Sequence, residues 1–145
     1  TYCFMTSLIF SIFNSLVIIL WIFLVFFPKR KFTKLIVDYP YIPIVFSLAY
    51  IYFIAQVPQI FNADFSTLSG VLELFINSTP ESAAAGWIHY LAFDFWMGAW
   101  ILKNSQNKSI PHVIIIFPLI FTFILGPFGI LLYYIFTNLY FKLKK

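Results

Sequence analysis

"IPHVIIIFPLIFTFILGPFGILLYYIFTNLYF", residues 110–141, carries no formal charge from end to end. As one straight α-helix it would rise about 48 Å, against a hydrocarbon core of about 30 Å. Pro118 and the "GPFG" at 126–129 must relieve that excess. Either the run is one kinked, tilted crossing, or it is two shorter arms that meet at "GPFG". The expectation adopted is a single broken crossing over 110–137. The closing lysines Lys142, Lys144 and Lys145 pull the other way, because a full crossing separates them from the other basic residues. A turn back at "GPFG" would place all nine basic residues on one side.

The rest of the chain is equally apolar. Of 145 residues, 62% are hydrophobic, 23% aromatic and 10% charged, too few charges to cover a soluble domain of this size. The excess of four positive charges does not point to nucleic acid. The basic residues sit in short clusters between apolar runs, as membrane flanks do. "FMTSLIFSIFNSLVIILWIFLVFF" (4–27) is a first span, stopped by "PKRK". "YIPIVFSLAYIYFIAQVPQIF" (41–61) is a second, with Pro43 tolerated in its first turn and Pro58 set to kink or end it. "AAAGWIHYLAFDFWMGAWIL" (83–102) is a third. Between the last two, "STLSGVLELFI" spaces Leu68, Val71, Leu72 and Phe75 for a short amphipathic helix at the interface.

The expected fold is therefore an all-α membrane protein of one domain, residues 1–145. It is a four-helix transmembrane bundle with spans near 4–27, 41–61, 83–102 and 110–137, and a last span broken at "GPFG". The chain opens on Thr1, so its true start is expected upstream. The first run is too long for a signal-peptide core and lacks a basic leader, which makes it a mature span. A single cysteine, Cys3, excludes an internal disulfide.

Asp94 is the one charge inside any of the four runs. An ionisable residue at mid-bilayer costs roughly 2.5–3.5 kcal/mol even on lenient scales, and marks function by default. It could donate a proton, accept one, or hold helices together by a hydrogen bond. His89, five residues earlier, diverges by about 140° around the helix, whereas Tyr90 shares the Asp94 face. His89, Phe93, Trp96 and Trp100 make a separate stripe, either packing and interfacial anchoring or an aromatic wall for a flat ligand. His112 opens the last run. With His89 and Asp94 it is a candidate for a two-histidine, one-carboxylate set, but no ligand spacing supports a metal, and none is expected. Asn14 and Gln56 are intramembrane amides, suited to interhelical bonds or to the same cavity as Asp94. Glu73 and Glu81 read as solvated. Walker, dinucleotide, GxSxG and cysteine-pair motifs are absent.

"TPESAAAGWIHYLAFDFWMGAWI" and "SIPHVIIIFPLIFTFILGPFGILLYY", with the Asn14 run ending in "FFPKR", resemble the abscisic-acid-deficient-four-like family of small membrane proteins. In plants that family is linked to formation of neoxanthin from violaxanthin. The resemblance implies shared polar positions at His89, Asp94 and His112, with Gly86, Gly98, Pro111, Gly126 and Pro127 shaping the backbone. It implies an integral, multi-pass protein of a bacterial inner membrane or a plastid membrane. The carotenoid step opens an epoxide to an allene by protonating oxygen and removing a vinylic proton, with no redox change and no cofactor. On that reading Asp94, His89 and His112 are the catalytic candidates, and Tyr90, Trp87, Phe93, Trp96, Trp100 and Asn14 the binding ones.

Two other readings stand beside it. One is a small, non-enzymatic subunit with a membrane-protein partner or a second copy on a small-residue face such as Ser82–Gly86. The other is a minimal proton or ion pathway on Asp94. Expected partners are membrane lipid and a carotenoid or isoprenoid ligand.

Overall fold

The computed structural model describes residues 2–144; Thr1, Lys145 and the side chains of Tyr2 and Cys3 lie outside the described residues. Among the described residues there are seven α-helices, one 3-10 turn and no strand. They are α1 (Tyr2–Phe26), α2 (Lys31–Asp38), α3 (Tyr41–Ile54), the 3-10 turn (Pro58–Asn62), α4 (Leu68–Ile76), α5 (Pro80–Asn107), α6 (His112–Leu125) and α7 (Pro127–Leu143). The all-α expectation holds. Phe4–Phe26 is long and apolar enough to cross a membrane. Only 28% of its most apolar window is buried inside the molecule. Helices α2 and α3 make a second such unit if taken together across a 58° bend.

Helix α5 is the axis of the molecule. It opens with a capping box in which the Thr79 side chain accepts from the Ser82 amide and Ser82 Oγ accepts from the Thr79 amide. Pro80 at N1 and Glu81 in the first turn suit a helix start. Helix α1 runs parallel to it, because successive contacts advance together: Thr6 Oγ1 donates to Glu81 at 3.0 Å, Trp87 Nε1 to Asn14 at 3.0 Å, and Gln106 to the Pro28 carbonyl at 3.4 Å. Glu81 is thus tied to α1 rather than simply solvated. Helix α3 runs antiparallel, with Lys103 on Asp38 at 3.1 Å and Tyr50 beside His89. Ala84, Ala85, Ala92, Gly98 and Ala99 are buried on α5. Small residues of this kind let helices approach closely. A Cβ at Gly98 would stand 2.5 Å from the buried Trp21 ring.

The last apolar run is not one broken rod. Helix α6 starts beside the end of α1, where His112 Nε2 bonds the Val25 carbonyl at 2.7 Å, and runs back along α5. At 14 residues it is about 21 Å long, short of a full crossing. Gly126 then takes φ +45, a conformation that side chains disfavour, and Pro127 opens α7. Gly129 lies directly on the backbone of Thr122, and the rings of Phe121 and Phe128 meet at 5.4 Å. Residues seven apart on one straight helix would sit about 10 Å apart along its axis. Tyr133 donates to Asn104 at 2.7 Å and packs on Trp100 at 5.7 Å, which brings α7 back toward the C-terminal end of α5. The expected single broken span over 110–137 is corrected to a helical hairpin with its tip at Gly126.

The run at 41–61 also differs from one continuous helix. Helix α3 ends at Ile54, and Pro58 opens the 3-10 turn. The expected short helix of the second connection is α4. Asp64 accepts from the Ser66 amide and from the hydroxyls of Ser66 and Thr67, which holds its carboxyl down at about 2. Thr67 caps α4 through the Gly70 amide. Leu68, Phe75 and Ile76 stand exposed on that helix.

Helix directions sort the charges. Lys29, Arg30, Lys31, Lys34, Lys103, Lys108, Lys142 and Lys144 fall toward the end of the molecule where α1 and α5 finish. Asp64, Glu73 and Glu81 lie toward the other end.

Candidate ligand-binding site

Asp94 lies half-way along α5, and the hairpin tip meets it there: a Cβ at Gly126 would be 2.6 Å from Asp94 Oδ1. Glycine is the residue that lets the tip close on the carboxyl. At about 100° per residue, Ala83, Trp87, Tyr90, Asp94, Ile101 and Ser105 share one face of α5. Below Asp94 the hairpin covers that face, leaving Ile101 at 0% and Ser105 at 1% exposure. Above Asp94 the hairpin has ended and the same face is open, with Tyr90 at 56% and Trp87 at 48%. The Asp94 carboxyl has no hydrogen-bond or ion-pair partner among the described residues. Tyr90 shares its face but makes no bond to it.

Two hollows flank the open half. One, about 530 Å³, lies between α3, α4 and α5 and is lined by Tyr50, Phe65, Phe75, Gly86, His89 and Tyr90 among others. That volume is in the range of small-molecule sites. The other, about 420 Å³, lies between α1 and α5, with Phe10, Ala83 and Trp87 on its walls. Trp87 borders both. Asp94 is not in the lining of either; it sits one turn below Tyr90, at the foot of the open face.

The sequence-predicted residues divide accordingly. Asp94, Tyr90 and Trp87 are brought onto one face. Trp87 is held by Asn14, whose amide therefore serves an interhelical bond. Gln56 donates to the Tyr52 carbonyl of its own segment. His89 turns away toward Tyr50 and Phe93, at 5.7 and 4.8 Å between ring centres. Phe93 stacks near Trp96 at 6.3 Å, and Trp100 continues the ladder to Tyr133 and Tyr134. That ladder lies on a different face from Asp94. His112 is at the far end of α6, about 21 Å of helix from the tip. The two histidines and Asp94 are thus three separate places. No cluster of three metal-ligating side chains occurs among the described residues.

Sequence reasoning treated Gly126 as a backbone-shaping residue and missed its contact with Asp94. It also missed the Tyr133–Asn104 bond. Both follow from the turn back, and the signal was the set of closing lysines. Ala84 and Ala85 of the small-residue stretch are buried at 4% and 1% inside the molecule, so they do not form a free face.

The site thus belongs to an all-helical chain with many outward-facing apolar residues, one helix of membrane-spanning length and apolarity, and a carboxylate half-way along its central helix. The chain belongs to the ABA DEFICIENT 4-like family, whose model matches residues 8–133, from α1 into α7. No curated protein and no solved structure matches it.

Proposed function

We propose that the protein is a single-domain, integral, multi-pass membrane protein that binds a carotenoid or related isoprenoid in the open half of the α5 face. Helix α1, the bent α2–α3 unit and α5 cross the bilayer, and α6–α7 enters from one side and returns to it. All eight described basic residues then share one side, as the positive-inside rule requires. The family's association with neoxanthin formation supports the ligand class.

The observation that carries the reading is the half-height hairpin. It leaves an apolar, aromatic-flanked face beside a 530 Å³ cavity, and that face ends on the Asp94 carboxyl. A long apolar ligand would lie along Trp87 and Tyr90, with its oxygenated end group toward Asp94. Protonated Asp94 gives its proton to the epoxide oxygen as the ring C–O bond opens. The resulting carboxylate takes the vinylic proton as the allene forms. The residue ends as it began and no electrons are transferred, so no cofactor is required. His89 and His112 take no part in this scheme, because neither shares the Asp94 face.

The test is to purify wild type, Asp94→Asn and Gly86→Leu mildly and identify bound lipids by chromatography and mass spectrometry. A Cβ at Gly86 meets nothing within 4 Å, and Gly86 lines the cavity, so a leucine there starts in open space and extends into it. Expected are an isoprenoid enriched with wild type, its unconverted form retained by Asp94→Asn, and its loss from Gly86→Leu. Ordinary phospholipid with all three, at unchanged helicity, would overturn the reading and favour a non-enzymatic subunit.

A further inference from the structure

A third cavity, of about 360 Å³, lies at the basic end of the molecule, about three turns of α5 beyond Asp94. Its walls are the last residues after α1 (Pro28 and Lys29), the final turn of α5 (Ser105 and Gln106), and the link into α6 (Ser109 to His112). Three separate segments thus bring Lys29, Gln106, Ser109 and His112, residues that carry an ammonium, an amide, a hydroxyl and an imidazole, to one opening. The opening is braced rather than loose. Gln106 reaches across to the Pro28 carbonyl, and Ser109 is fixed at φ +52 as the chain turns. His112 directs Nε2 to the Val25 carbonyl at 2.7 Å, so that nitrogen is the donor and Nδ1 is left for other partners.

The electrostatics favour an anion. Among the described residues the sole ion pair joins Lys103 to Asp38, so Lys29 has no carboxylate to neutralise it. Asp38 is the one acid at an end that holds all eight described basic residues. The cavity is also at the right depth. It stands where the 23-residue apolar stretch of α1 stops, which is where lipid phosphates meet the hydrocarbon edge. A pocket between helices with a free cation at that level suits a phosphate that carries acyl chains down the apolar flank.

We propose that this cavity seats the phosphate head group of an anionic membrane lipid from the leaflet at the basic end. The proposal rests on the membrane placement given above and not on the isoprenoid reading. Lys29 supplies the charge, while Gln106 and Ser109 supply neutral hydrogen bonds.

The experiment is native mass spectrometry of the full chain in detergent, titrated with phosphatidylglycerol or phosphatidylcholine. Carbonate extraction of the starting membranes is done first, so that failure of membrane insertion is scored separately. Wild type is expected to retain one phosphatidylglycerol in preference to phosphatidylcholine. Lys29→Gln should weaken that binding by about tenfold or more, the order of a lost charge-assisted hydrogen bond. Lys34→Gln removes the same charge outside the cavity and should change it less than about twofold, as a screened exposed charge does. Equal losses in the two variants would mean a diffuse basic surface, and no preference between the lipids would mean no site. Either overturns the proposal. Inorganic phosphate that displaces the lipid at equal concentration would overturn the lipid assignment. Unchanged helicity of Lys29→Gln by circular dichroism keeps the comparison sound.

Discussion

Gly129→Ala separates a hairpin from a kinked rod by the sign of its effect. In the structure the new methyl would be driven into the backbone of Thr122, which cannot rotate aside as a side chain would. Overpacking of this kind costs about 1–3 kcal/mol, and a backbone obstacle puts it near the upper figure. Replacing glycine by alanine inside a helix returns about 1 kcal/mol. The net is a loss of about 2 kcal/mol, or roughly 30-fold in the ratio of closed to open hairpin. In a kinked rod the methyl would meet nothing from Thr122, and the substitution would stabilise. The assay pairs thermal unfolding in detergent with cross-linking of Phe121→Cys and Phe128→Cys, whose parent rings are 5.4 Å apart, in a Cys3→Ser background. The expected result is a lower midpoint and a lower yield of cross-link. A raised midpoint with an unchanged yield would refute the hairpin.

Further outcomes follow from the same geometry. Cysteines placed at Lys144 and at Leu35 should react with a membrane-impermeant thiol reagent from the same side of sealed vesicles, and a cysteine at Glu73 from the opposite side. Reaction of Lys144→Cys with Glu73→Cys instead would return the last run to a full crossing. Asp64 should give α4 an acid limit. Its carboxyl is held at about 2, below the usual 3.8, by Ser66 and Thr67, so the folded state binds fewer protons than the unfolded one. The resulting stabilisation is complete above about pH 4 and fades as the pH falls toward 2. Amide exchange in α4 should quicken across that window in the wild type and be pH-independent, beyond intrinsic exchange, in Asp64→Asn.

Much of this architecture was legible because lipid restricts what a sequence can do. An uncharged run such as 4–27 has few options other than a helix, and α1 spans Tyr2–Phe26. The amphipathic spacing around Leu68 and Leu72 also gave α4 nearly to the residue. Hydropathy does not register direction, however. Residues 110–141 are apolar whether the chain goes on or turns round, and what decides it is local: a positive φ at Gly126 and the missing Cβ at Gly129. The face of Asp94 was readable from helical angles, which placed Tyr90 beside it and His89 away. Its neighbour across the interface was not, because Gly126 comes from an element whose course hydropathy left open. The cavity lined by His89 and Tyr90 depends on how α4 lies over α3 and α5, a tertiary fact with no trace in spacing.

The hairpin also sets the shape the molecule offers to its surroundings. On the proposed orientation, five helices fill the leaflet that holds the basic residues: α6 and α7 stand there beside α1, α3 and α5. Beyond the tip at Gly126 three of these continue, with only the short α4 and the 3-10 turn laid against α3 and α5. The cross-section therefore narrows at mid-depth, as in a wedge. Acyl chains of the thinner half must fill the area the missing pair leaves, and a flat bilayer can do so only by tilting or crowding them. A membrane curved toward the broad end relieves that mismatch without altering the protein.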